Sequence, residues 1–138
     1  MLLLVRNNLL APRCARKLHF RHMTLYRVIA AHTPPEYPPV FWRSGHAVSV
    51  GRRDDEWTEF LWCTDGSGQS AWVPKSFLCR DGATAALGHD YDSRELRVEV
   101  GEQLEALDTV GGWVWCRNQL GEFGWVPLRC LHYIRVND

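Results

Sequence analysis

The chain has 138 residues, seven of them Trp, and sets 16 basic against 16 acidic side chains. No run of about eighteen or more apolar residues occurs, so no membrane-spanning helix is expected. Five cysteines, an odd number without a CxxC pair, argue against a disulfide framework and a zinc ribbon; reduced thiols suit a cytoplasmic protein.

The neutral total conceals an asymmetry. Residues 1–22 carry Arg6, Arg13, Arg16, Lys17 and Arg21 and no acid, which leaves the remainder mildly acidic. An acidic body argues against nucleic acid as a partner, because phosphate recognition needs a basic face. The apolar stretch at Met1–Val5 is too short for a secretory core, and Pro12 interrupts any helix through the segment. Residues 1–22 therefore read as a disordered basic extension or a start assigned too early, dispensable for folding. Met23 stands directly before the first strand pattern, Thr24 to Ile29.

From there the chain repeats itself. Phe60-Leu61-Trp62-Cys63 matches Trp113-Val114-Trp115-Cys116, Trp72-Val73-Pro74 matches Trp125-Val126-Pro127, and Gly68 matches Gly121, all at one spacing. Upstream, Gly45 matches Gly101 and His32 matches Tyr91 at longer spacings, so the first copy has longer loops. The first copy reads as strands at His46–Val50, Phe60–Cys63 and Ala71–Pro74, the second at Gln103–Leu107, Trp113–Arg117 and Phe123–Val126. Pro74 and Pro127 cannot donate to a strand ladder, so each should stop its strand and lead into a single 3₁₀ turn. The reading is all-β: two small five-stranded barrels in tandem, residues 24–80 and 83–136, joined near Arg80-Asp81-Gly82. Barrels this small should support each other.

These residues resemble the SH3 family, in its bacterial variant, over roughly residues 26–136. The second copy supplies Asp90-Tyr91, Glu95-Leu96, Gly101-Glu102, Trp113, Gly121 and Gly124-Trp125-Val126-Pro127; the first supplies Gly45, Phe60, Gly68 and Trp72-Val73-Pro74-Lys75-Ser76-Phe77-Leu78. The resemblance implies SH3-like barrels that dock extended, Pro-rich peptides between parallel aromatic side chains, with acids of the RT loop orienting a flanking Arg or Lys. Carried over by position, the peptide-binding residues are Tyr91, Asp92, Glu95, Trp113 and Pro127 in the second copy. In the first copy they are Phe60, Pro74 and Phe77, with Trp57 as a nearby substitute. His89 and Cys130 stand where two groove tyrosines are expected, and His32 replaces a third.

The function implied is a non-enzymatic binding module for an extended peptide or a protein surface; the alternative is a structural accessory subunit whose barrels pack on each other or on a larger enzyme. No nucleophile motif, phosphate loop or paired-carboxylate pattern appears, and neither a cofactor nor a metal is implied. Cys63 and Cys116 occupy matched strand positions that suit small buried core residues. Trp62, Trp72, Trp115 and Trp125 read as packing residues, and Trp113 as the leading contact residue. Pro34-Pro35-Glu36-Tyr37-Pro38-Pro39 reads as a stiffened RT loop that could itself occupy a groove.

Overall fold

The computed structural model describes residues 23–137, so the basic extension read from residues 1–22 lies outside the described residues. The chain forms strands β1 (Met23–Val28), β2 (Phe41–Trp42), β3 (Ala47–Arg53), β4 (Phe60–Asp65), β5 (Ser70–Pro74), β6 (Leu78–Asp81), β7 (Thr84–Leu87), β8 (Tyr91–Asp92), β9 (Gln103–Val110), β10 (Trp113–Arg117), β11 (Phe123–Pro127) and β12 (Leu131–Asn137). These make two antiparallel five-stranded sheets, ordered β5-β4-β3-β7-β6 and β11-β10-β9-β1-β12, with β2 and β8 paired beside them. The 3₁₀ turns Lys75–Phe77 and Leu128–Cys130 follow Pro74 and Pro127 as the sequence predicts.

The expectation that each copy folds by itself is corrected by the strand pairing. β1 belongs by sequence match to the first copy, yet it pairs with β9 and β12. β7 belongs to the second copy and pairs with β3 and β6. The registers correspond: Tyr26 lies opposite Leu104 where Ala85 lies opposite Val48, and Val28 opposite Leu131 where Leu87 lies opposite Leu78. The two halves have exchanged their first strands.

The cause is local. Asp81 pairs with Thr84, which leaves Gly82 and Ala83 as a two-residue turn, with Gly82 at φ +69°. Such a positive φ is cheap for glycine, and a strand joined by so short a turn can only lie beside its predecessor. Thr84 Oγ1 donates to the Asp81 carbonyl at 3.0 Å and Arg80 Nε to the Gly82 carbonyl at 2.8 Å, fixing the turn. β7 thus fills the place between β3 and β6, and β1 takes the corresponding place in the other sheet.

Alternation along the strands fills two cores. The first gathers Val40, Trp42, Val48, Cys63, Val73, Leu87 and Tyr91. The second gathers Val28, Val98, Leu104, Val114, Cys116 and Val126. Trp125 of β11 is buried in the first core, with Val110, Trp113 and Trp115 packed against it, so the two sheets are joined through aromatic side chains.

Matched residues also close the hairpins β4–β5 and β10–β11. Asp65 Oδ1 accepts from the amides of Ser67 and Gln69 at 3.0 Å, and Oδ2 accepts from Trp42 Nε1 at 3.2 Å and His46 Nε2 at 2.9 Å. Asn118 Oδ1 accepts from the amides of Leu120 and Glu122 at 2.9 Å. The His46 bond, followed by those from Ser67 and Gln69, holds the Asp65 carboxyl well below the usual carboxylate range.

Two outcomes are expected. Residues 40–92 contain every strand of the first sheet and should melt cooperatively as an isolated fragment, whereas residues 82–138, which lack β1, should not; circular dichroism on both fragments checks this. The Asp65 bonds stabilise the fold above the ordinary carboxylate range, and that stability is lost as pH falls through the depressed native value. Asp65→Asn should therefore lower the melting temperature at neutral pH and flatten its fall in acid, measured by melts across an acid pH series.

Candidate functional site

A cavity of about 510 Å³ opens between the two sheets. Trp113 is its central aromatic. Its ring lies 5.4 Å from Trp57, 6.5 Å from Phe60 and 5.5 Å from His32, all at steep angles. Trp72 lines the cavity as well and packs edge-on against Trp62, which Tyr37 meets in turn at 6.5 Å. Phe60 and Trp113 are matched residues of the two copies, so the cavity is shared by the halves rather than owned by either.

Several backbone contacts place these side chains. His32 and Val98 exchange amide–carbonyl hydrogen bonds at 3.0 and 3.1 Å, which brings the chain after β1 to the cavity. The Trp125 amide donates to the Arg94 carbonyl, the Leu96 amide to the Trp125 carbonyl, and Trp125 Nε1 to the Asp92 carbonyl. Together these clamp the segment carrying Glu95 against β11. The Gly111-Gly112 turn lies under Trp57, so close that a Cβ at Gly112 would stand 2.9 Å from its ring.

Of the residues selected from sequence, Trp57, Phe60, Tyr91, Glu95 and Trp113 line this cavity together. Tyr91 is nevertheless a core side chain, only 4% exposed, whose hydroxyl donates to the Trp72 carbonyl at 2.7 Å. Burial, reinforced by the Glu95 charge, raises its phenol pKa far above the ordinary value. Pro74 and Pro127 are fully buried and offer a ligand no surface, so their assignment as contact residues is corrected: they stop strands and fill space. Phe77 packs edge-on against Tyr91 and His89 and is not part of the lining. Asp92, also outside the lining, pairs with Arg94 at 2.9 Å.

Sequence reasoning set Trp72 and Trp125 aside as packing residues, and both line the cavity. Pro34, Pro35, Tyr37 and Pro39 line it too, so the proline-rich loop forms part of its wall. The signal for that role was present in the density of prolines about a single tyrosine.

The acids around the cavity have partners within the chain. Asp54 accepts the Trp57 amide at 2.7 Å. Glu56 pairs with Arg129, whose guanidinium lies over the Trp57 ring at 4.8 Å. Glu95 accepts from His32 at 2.7 Å. The Glu95 charge also adds to burial in raising the Tyr37 phenol pKa.

Cys63 and Cys116 are wholly buried, and burial pushes their thiols up to about 11 and about 12, which leaves them protonated and unreactive at neutral pH. Among the described residues no group of three or more His, Cys, Asp or Glu side chains could hold a metal ion, and no helix is long and apolar enough to cross a membrane. No family model matches the chain, and no match was found among curated proteins or solved structures.

The turn beneath Trp57 allows a controlled test. Gly112 and Gly121 have similar φ values, +88° and +84°, but a Cβ at Gly121 meets nothing. Gly121→Ala should cost only the backbone strain, about 1 kcal/mol. Gly112→Ala should cost roughly 1 kcal/mol more, because the Trp57 ring must shift, and should also change the tryptophan emission. Urea melts followed by fluorescence measure both.

Proposed function

We propose that the chain is a non-enzymatic binding protein whose two sheets, each with its 3₁₀ turn, form two SH3-like barrels. The ligand is an extended, Pro-containing peptide or a protein surface that presents such a segment, and it docks in the cavity between the sheets. The observation that carries this reading is the aromatic lining contributed by both halves: Trp57, Phe60 and Trp72 from one, Trp113 from the other. A volume of about 510 Å³ suits a few side chains rather than a whole folded surface. Proline rings stack well on indole and phenyl faces, and a polyproline II segment is already stiff, so ordering it costs little entropy. The thiols of Cys63 and Cys116 are buried in the cores and do not line the cavity, so they offer no nucleophile there.

One observation favours the alternative, a structural role. Tyr91 is buried, and Trp113 is half covered by His32, Trp57 and Phe60, so part of the aromatic set is used in joining the sheets.

The two readings differ at Trp113. As a binding anchor it should contribute about 2 kcal/mol, so Trp113→Ala should weaken peptide binding roughly thirtyfold while leaving a folded, less stable protein. Leu120→Ala, at an 84% exposed hairpin tip, should change neither quantity. Calorimetric titration with proline-rich peptides, beside a melt of each variant, checks this. A folded Trp113→Ala protein with unchanged affinity leaves the structural role standing.

A further inference from the structure

We infer that the cavity binds a proline-containing segment through its aromatic surface alone, indifferent to flanking charge, and does not recruit a flanking arginine or lysine. The inference rests on the binding reading above and narrows it. Three carboxylates line the cavity, Asp54, Glu56 and Glu95, and each is already engaged within the chain. Asp54 is the acceptor of a turn, 2.7 Å from the Trp57 amide.

Glu95 is the decisive residue, because it alone is part of the segment clamped against Trp125. It lies 2.7 Å from His32 Nε2. A carboxylate has no proton to give, so Nε2 carries the proton and donates it. Both side chains are largely buried, at 17% and 20% exposure, and the His32 ring is held edge-on to Trp113. A cationic ligand would have to break this bond and leave a largely buried imidazole without its acceptor, which cancels much of what a new ion pair supplies.

Glu56 leads to the same result by exchange. Its partner Arg129 also covers the outer face of Trp57, so a ligand guanidinium arriving there replaces one guanidinium with another. What else lines the cavity is aromatic surface, which recognises proline rings without regard to net charge, together with Thr33, Ser93 and Arg94, the last paired with Asp92. The wall itself contains Pro34, Pro35 and Pro39.

The test uses the full chain and two synthetic probes: an acetylated and amidated nonaproline, and the same peptide with arginine at both ends. Affinities are measured by calorimetry at low and high salt for the wild type, His32→Phe and Glu95→Gln, with a melt of each protein. The expected result is binding of both probes by the wild type within about twofold of each other, little changed by salt. His32→Phe keeps an aromatic edge on Trp113 and releases Glu95, so it should raise affinity for the arginine-flanked probe roughly fivefold or more at low salt only. Wild-type preference for the arginine-flanked probe by about fivefold or more, lost in Glu95→Gln, would overturn the inference while leaving the binding reading intact. Equal affinity of His32→Phe for the two probes would also overturn it. Failure of every folded protein to bind either probe would overturn both.

Discussion

A turn of two residues, Gly82 and Ala83, decides how this chain is assembled. It ties β7 to β6 so closely that β7 must occupy the place between β3 and β6. β1 is thereby excluded from the sheet its sequence suggests and completes the other one. The rest depends on this. The chain leaving β1 must return from one sheet to the other through Ile29 to Pro39, and on the way it delivers His32, Pro34, Pro35 and Tyr37 to the seam. Had the halves been separate, Trp113 would face solvent instead of meeting Trp57 and Phe60.

The seam is polar as well as aromatic, and its polar groups are mostly satisfied internally. Tyr91 bonds the Trp72 carbonyl, Trp125 bonds the Asp92 carbonyl, and His32 bonds Glu95. The first of these ties the β8 segment to β5 and the second ties β11 to the same segment, so β8 links the two sheets.

Much of this was legible in the sequence. Period-two alternation located most strands, and the shared spacing of the copies paired Phe60 with Trp113, and Cys63 with Cys116 in the cores, where both are wholly buried. The strand exchange was not read, because a repeat tells which segments are alike and not which segments pair. One local signal did point to it: an Asp-Gly step between short β-type segments is a strong marker of a tight hairpin, and Asp81-Gly82 stands where a linker was expected. The site was half legible. Aromatic positions at loop edges, Trp57 and Trp113, were selected from their placement, and both line the cavity. Tyr91, Pro74 and Pro127 were selected by likeness to family positions; burial removes the surfaces of the two prolines and leaves Tyr91 a core side chain at the cavity's edge, which likeness of sequence cannot show.

The pairing of β1 with β12 also governs the order in which the molecule can be made. β3 through β7 lie within about forty consecutive residues, so the first sheet can form while the rest of the chain is still emerging from the ribosome. β1 emerges earlier than any of them and must then wait, unpaired, until β9 and β12 arrive. Throughout that interval it competes with β7 for the place beside β3, a contest the short turn settles by proximity once residues 82 and 83 have been added. Closing the second sheet joins residues more than a hundred positions apart, as Met23 with Asn137, so the slow step of folding should be the capture of β1 rather than the formation of either hairpin.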